Sequence, residues 1–180
     1  MSSLLTLDRK LTQIIAGRPK AAQPYVAAFS WLGAPEVLLP VCLLLGAWQL
    51  AFGNRWLGLA LWLAIGASFA GLGLSFIIRR PRPKSPYADH MPFKSYSFPS
   101  VHALGTIVLS GLALYFLDGR LQAAQWWVAA ACLTVFVLLI GYSRVYLGAH
   151  FVLDVLAGWT CGAIAAAVII VMVQYAARLG

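Results

Sequence analysis

The sequence predicts an all-α fold: a polytopic transmembrane helical bundle of five or six spans, with an N-terminal helix at the membrane interface. Three observations carry this. The chain is 62% hydrophobic and only 10% charged, whereas soluble domains carry about 25% charged residues. No soluble fold of 180 residues could bury that much apolar side chain, so the solvent must be lipid. The apolar residues come in continuous runs rather than in alternation, which selects helices over barrel strands, the other backbone that satisfies its own hydrogen bonds in hydrocarbon.

Thr6 to Ala16 reads as a short amphipathic helix, with Leu7, Leu11, Ile14 and Ile15 on one face and Asp8, Arg9 and Lys10 elsewhere. It is too short to span and belongs at the interface. Gln23 to Leu32 brings Tyr25, Phe29 and Trp31, whose rings suit the headgroup level, so residues 1–32 form an interfacial N-terminal region. Five longer apolar runs follow, near Glu36–Phe52, Trp56–Ile78, Ser100–Leu117, Gln125–Tyr142 and Phe151–Ala176. A span needs ~20 residues, so the first and third are short and the last has length to tilt. If Gln23–Leu32 also inserts, the spans number six. The turns Gly53-Asn54-Arg55 and Asp118-Gly119-Arg120 make helical hairpins. Met1 to Gly17 lacks the basic-then-apolar order of a cleavable signal. There is no internal repeat, and residues 1–180 read as a single domain.

The net charge is +8. In a soluble protein that would suggest nucleic acid; here the cations sit in short loops beside apolar runs, so orientation and anionic headgroups explain them, and no nucleic-acid partner is expected. Cys42, Cys132 and Cys161 lie inside apolar runs without paired spacing and read as packing residues.

One connection differs from the rest. Residues 79–98, RRPRPKSPYADHMPFKSYSF, form a polar loop between the second and third long runs. Alternation of sides places it at the same membrane face as Ser143–Ala149, so RRPRP, FPSVH and SRVYLGAH converge there. In Phe98-Pro99-Ser100-Val101-His102, proline then serine before an apolar run is a helix start with Ser100 as N-cap, and helix N-termini bind anions. His150 and Asp154 are four apart and share a helical face. Asp154 is an ionisable group inside an apolar run, where desolvation is costly, and therefore a candidate functional residue. Taken singly, a capped helix, a His–Asp staple and a positive-inside loop explain each piece. Together, several arginines, two histidines and one intramembrane aspartate at one face are what phosphoryl transfer to histidine requires. Arg82, Arg144 and the N–H groups around Ser100 would hold a phosphate. His150, oriented by Asp154, would attack phosphorus, and His102 would protonate the leaving oxygen and then activate water. One carboxylate and two histidines on separate helices leave a hard cation short of ligands, so neither a metal nor another cofactor is expected.

These residues resemble the type-2 phosphatidic acid phosphatase superfamily of integral membrane lipid phosphatases. Its third motif is complete as Ser143, Arg144, His150 and Asp154; its second appears as Pro99-Ser100-Val101-His102; its first ends at Arg82-Pro83. The resemblance implies His150 as nucleophile with Asp154 as its partner, His102 as acid and base, and Arg82, Arg144 and Ser100 on the phosphate. Two positions depart from the pattern. Ser75 stands where the first motif has lysine, and Arg79 or Arg80, or Lys84 or Lys94 from the loop, would have to supply the cation. Val101 replaces glycine, which keeps a backbone N–H for the phosphate but narrows the pocket.

The implied substrate is a lipid phosphate or diphosphate: polyprenyl diphosphate, phosphatidic acid or phosphatidylglycerophosphate, with polyprenyl diphosphate favoured. The alternatives are a lipid phosphotransferase with the same phosphohistidine, or a non-catalytic binder or transporter of anionic lipid. The implied location is a bacterial inner membrane. Loop charges over five spans put the catalytic face in the cytoplasm, six spans nearly balance them, and the resemblance favours the extracytoplasmic face.

Overall fold

The structure is a computed structural model that describes residues 2–91 and 95–179. Its elements are α1 (Ser2–Ala16), α2 (Gln23–Trp31), α3 (Pro35–Phe52), α4 (Arg55–Ile78), α5 (Pro86–Asp89), α6 (Val101–Leu117), α7 (Ala123–Tyr146) and α8 (Val152–Leu179), with a 3-10 turn at Lys20–Ala22 before α2. Among the described residues, four stretches are long and apolar enough to cross a bilayer: Lys20–Phe52, which includes the break between α2 and α3, then α4, α7 and α8. The shorter α6 is packed among α4, α7 and α8. Nine residues of α2 rise about 14 Å, so α2 does not cross by itself and makes no separate sixth span.

Local chemistry sets the ends of these helices. Asn54 caps α4, its side chain accepting from Trp56 N (3.0 Å) and Leu57 N (3.1 Å). Arg79 ends α4 in the left-handed conformation (φ 55°). The sequence reading ended the fourth run at Tyr142, but α7 continues to Tyr146. Arg144 therefore sits in a last helical turn rather than a loop, because its guanidinium finds partners inside the protein.

The bundle is inverted relative to a soluble protein. Its core is slim, built around Ala60, Ala64, Leu104, Val108, Leu112 and Ile169. Leu44, Trp48, Ile77, Trp127 and Val171 are exposed along the helices, where hydrocarbon replaces water as their solvent. Helix α1 follows the same logic. Its leucine face, with Leu4, Leu7 and Ile14, points outward, and the side that meets the protein carries buried Asp8 and Thr12.

Small residues bring α6 and α8 together, as is usual where lipid gives helices no hydrophobic reason to associate. A Cβ on Gly158 would stand 2.5 Å from the Ser100 carbonyl oxygen and 2.9 Å from the Ala103 Cβ. One turn on, a Cβ on Gly162 would stand 2.6 Å from the Leu104 oxygen. Gly158→Ala is expected to cost about 1–3 kcal/mol through overpacking, seen as a lower Tm in detergent. It should also reduce turnover, because the displaced backbone is the first turn of α6, which carries His102.

Candidate active site

The site is built where four chain segments meet: the start of α8, the end of α7, the start of α6 and the loop after α4. Helix α8 begins at Val152, and its first N–H groups lack partners within the helix. Three side chains supply them. Asp154 Oδ2 reaches back to Phe151 N (2.8 Å), Asp8 Oδ1 accepts from Leu153 N (2.9 Å), and Thr12 Oγ1 from Val152 N (3.2 Å). The buried carboxylates of Asp8 and Asp154 thus lie at the positive end of the α8 dipole. Arg80 lies between them, 2.5 Å from Asp154 Oδ1 and 2.5 Å from Asp8 Oδ2.

Asp154 Oδ2 also accepts from the Ser97 hydroxyl. The His150 Nδ1–Asp154 Oδ2 distance is 3.7 Å, too long for a hydrogen bond. Nδ1 instead lies 2.7 Å from the Ser97 carbonyl oxygen. A carbonyl can only accept, so Nδ1 carries the proton and Nε2 keeps its lone pair. The sequence reading paired the aspartate directly with the histidine; here Ser97 stands between them, because Asp154 Oδ2 is already occupied by Ser97 and Phe151.

Arg82 Nη1 lies 3.2 Å from His150 Nε2 and 3.0 Å from the Ala149 carbonyl oxygen. The guanidinium is held by Ser95, through its carbonyl (2.9 Å from Nε) and its hydroxyl (2.8 Å from Nη2). Ser97 N bonds the Arg80 carbonyl (2.8 Å), which ties the two ends of the loop. Ser85 Oγ donates to the Gly148 carbonyl (2.9 Å). Gly148 has φ +71°, and a Cβ there would meet the Ser85 Cβ at 2.8 Å, so the junction before His150 requires glycine.

Arg144 is 1% exposed. Its Nη1 donates to Ser30 Oγ (2.8 Å) and Tyr87 Oη (3.4 Å). Its Nε and Nη2 find no acceptor among the described residues. Ser100 is buried, and its backbone N–H is taken by the Asp154 carbonyl (2.9 Å). Its Oγ accepts from Ala103 N (3.5 Å). The open end of α6 therefore offers the N–H groups of Val101 and His102 rather than that of Ser100.

A cavity of about 390 Å³ is lined by His102, His150, Arg82, Val101 and Ser95 at its polar end and by Leu39, Phe69 and Leu72 of α3 and α4 along its apolar wall. Glu36 and Tyr96 also line it.

Burial pushes the Arg82 guanidinium down to about 10, helped by the charge of Arg144 and opposed by Asp154. Burial also pushes His150 down to about 4, against Asp154, which pulls it up, and with Arg82 and Arg144 adding to the fall. Burial and the nearby Arg144 charge both work against a protonated Arg82, and an anion bound beside it relieves that cost. Protonation of His150 would consume the Nε2 lone pair, so loss of its proton favours reaction. The acid limb of kcat/KM is therefore expected near pH 4, with activity persisting at pH 5, where an exposed histidine of pKa ~6.5 would be mostly charged. A pH–rate profile that falls with a midpoint near 6.5 would contradict this.

His102, His150, Arg82 and Val101 thus share one cavity, with Asp154 behind His150. Arg79, expected on the phosphate, lies elsewhere: the left-handed turn at the end of α4 leaves it exposed, with Nε on the Phe76 carbonyl (3.0 Å). Arg80 is committed to Asp8 and Asp154, Lys84 is exposed, and Lys94 falls outside the described residues. Ser75 is buried and bonds the Leu72 carbonyl of its own helix (2.7 Å), so position 75 brings no cation. The sequence reading missed Asp8, Thr12, Ser30, Tyr87, Ser95 and Ser97. The signal for two of them was there: Asp8 and Thr12 lie four apart, on one face of a greasy helix.

The PAP2 superfamily matches residues 55–178. Phosphatidylglycerophosphatase B of Bacillus subtilis is 34% identical over 137 residues, covering 73% of this chain and 65% of that protein. Lipid phosphate phosphatase delta of Arabidopsis thaliana is 32% identical, over 52% of this chain and 25% of its own. An undecaprenyl-diphosphatase of Sulfolobus acidocaldarius is 43% identical, over 37% of this chain and 29% of its own. The match therefore spans less than two thirds of each of these relatives. Among solved structures, the transmembrane PAP2-type phosphatidylglycerolphosphate phosphatase of Bacillus subtilis superposes with a TM-score of 0.82 at 26% identity, over 97% of this chain and 88% of that one. Aquifex aeolicus LpxE superposes with a TM-score of 0.68 at 25% identity, over 91% and 94%. With its membrane-crossing helices and a family match over more than half its length, this chain is an integral membrane protein of the PAP2 superfamily.

Proposed function

We propose that the chain is a lipid phosphatase that hydrolyses a phosphomonoester or diphosphate through a phosphohistidine on His150. The observation that carries this is the Nε2 lone pair of His150, fixed by the Ser97 carbonyl and facing Arg82 in a cavity shared with His102. The phosphate displaces the Arg82–His150 contact and takes the guanidinium, the free N–H groups of Arg144 and those at the start of α6. Nε2 attacks phosphorus, the phosphorus–oxygen bond to the lipid breaks, and His102 gives its proton to the departing oxygen. Water then attacks the phosphohistidine and gives His102 a proton, and phosphate leaves His150. The arginines neutralise the equatorial oxygens throughout.

The apolar wall beside the histidines suits a lipid tail, and one of the relatives, similar over 137 residues, is a phosphatidylglycerophosphatase. Phosphatidylglycerophosphate therefore heads the substrate panel, ahead of phosphatidic acid and polyprenyl diphosphate. The test is inorganic phosphate release by the purified chain in detergent, with a chelator present. Turnover of at least one of the three lipids is expected; binding without release would favour a transporter. Transfer of the phosphoryl group to an added alcohol, but not to water, would favour a phosphotransferase.

We infer that the site opens at the extracytoplasmic face of a bacterial inner membrane. The family resemblance supports this side; the five-span charge count points to the cytoplasm even when Arg80, Arg82 and Arg144, held by Asp8, Asp154, Ser95 and Ser30 in service of the site, are set aside, so labelling decides between them. Lys84→Cys should react with a membrane-impermeant maleimide in intact cells; protection until lysis would place the site in the cytoplasm.

A further inference from the structure

A second cavity, of about 490 Å³, shares no lining residue with the one that holds the histidines. Leu5 and Arg9 of α1 line it together with Ile78 and Arg79 at the end of α4, Phe98 and Leu153. Arg80 also lines it, its guanidinium stacked 4.2 Å from the centre of the Phe151 ring. Arg9 and Arg79 are exposed, and neither has a carboxylate within ion-pair distance among the described residues. Two unpaired guanidinium groups thus rim a pocket with greasy walls, at the same membrane face as the phosphate site.

The geometry points to a binding site for an anionic phospholipid of the surrounding bilayer, distinct from the substrate site. Arg9 and Arg79 take the phosphodiester, matching its oxygens as forks. The acyl chains lie along Leu5, Ile78 and the outward leucines of α1, already in hydrocarbon. A zwitterionic lipid brings a compensating cation to the same rim and is held less tightly.

Arg9 follows Asp8, and Asp8 holds both Arg80 and the Leu153 N–H at the start of α8. A lipid bridging Arg9 to Arg79 fastens α1 against the end of α4, and so secures the carboxylate that supports Arg80 and Asp154. The bound lipid stimulates turnover by ordering the support of His150, without touching the reacting atoms.

The test uses the full chain in detergent, titrated with phosphatidylglycerol or phosphatidylcholine, with retained lipid read by native mass spectrometry. Wild type is expected to retain phosphatidylglycerol preferentially. Arg9→Gln and Arg79→Gln should each weaken that retention about fivefold, the effect of one arginine beside an anionic lipid surface. Arg82→Gln, in the other cavity, should leave retention intact. Equal retention of the two lipids, or retention unchanged in both Arg9→Gln and Arg79→Gln, would overturn the site. Loss in Arg82→Gln alone would move the lipid into the catalytic cavity and overturn it too, as would equal displacement by glycerophosphoglycerol, which lacks chains. Retention is read without turnover, so its failure is distinguishable from failure of the phosphatase reading. In a second arm, hydrolysis of a water-soluble phosphomonoester should rise with added phosphatidylglycerol in wild type. It should not rise in Arg9→Gln, whose rate without the lipid should match wild type; equal stimulation of both would overturn the coupling.

Discussion

His150→Ala is expected to abolish phosphate release, with a loss on the order of 10⁴-fold or more in kcat, because it removes the proposed nucleophile, whose lone pair the Ser97 carbonyl fixes. The residue is 2% exposed and its ring is held from both sides, by the Ser97 carbonyl at Nδ1 and Arg82 at Nε2. The substitution leaves no charge uncompensated, so the protein should still fold and elute from a sizing column as wild type does. The partner experiment separates nucleophile from acid. In His102→Ala, a substrate with a good leaving group still loses its phosphoryl group, since that oxygen needs no proton. Water, however, has no base, and labelled phosphate should remain on the protein as an acid-labile adduct. Retained turnover in His150→Ala, or label on a residue other than His150, would rule the scheme out.

The helical skeleton was legible because hydrocarbon leaves the backbone few choices: long apolar runs must be helices, and their ends fell within a few residues of prediction. The extra turn of α7 follows from Arg144. A charged residue reads as the end of a greasy run, but Ser30 and Tyr87 let this one stay helical and buried. The spacing from Ser143 to Asp154 and the Pro-Ser-Val-His start of α6 were readable because they are local. What could not be read is which backbone carbonyl would sit behind His150. That depends on the loop 79–98 folding back so that Ser97 meets Arg80, a contact made across seventeen residues. Asp8 was hidden for another reason. Beside Arg9 and Lys10 it looked like part of a solvated face, and only its place opposite Arg80 and the start of α8 shows that the polar side of α1 points inward. The long-range partners of a buried charge are a property of the assembled bundle, not of the segment that carries it.

Arg144→Met should separate binding a phosphate from holding the fold. The wild-type side chain is buried, yet Nε and Nη2 have no acceptor among the described residues. An unpaired buried donor costs about 1–3 kcal/mol, so the apo protein carries this arrangement at the expense of stability. Methionine fills similar space without donors and leaves only the Ser30 hydroxyl and Tyr87 to find other partners. Replacing buried ionic groups by apolar ones of like volume is often neutral or stabilising, and Tm in detergent should hold or rise. Activity should move the other way. Two charge-assisted bonds to phosphate are worth about 3–6 kcal/mol, which is roughly 10²- to 10⁴-fold in kcat/KM. Arg144→Lys should recover little of this, since an ammonium lacks the fork and cannot reach Ser30 and the phosphate together. A variant that lost stability while keeping turnover would make Arg144 a strut between α2 and α7. One that kept its Tm and lost its rate would place those two idle N–H groups on the substrate.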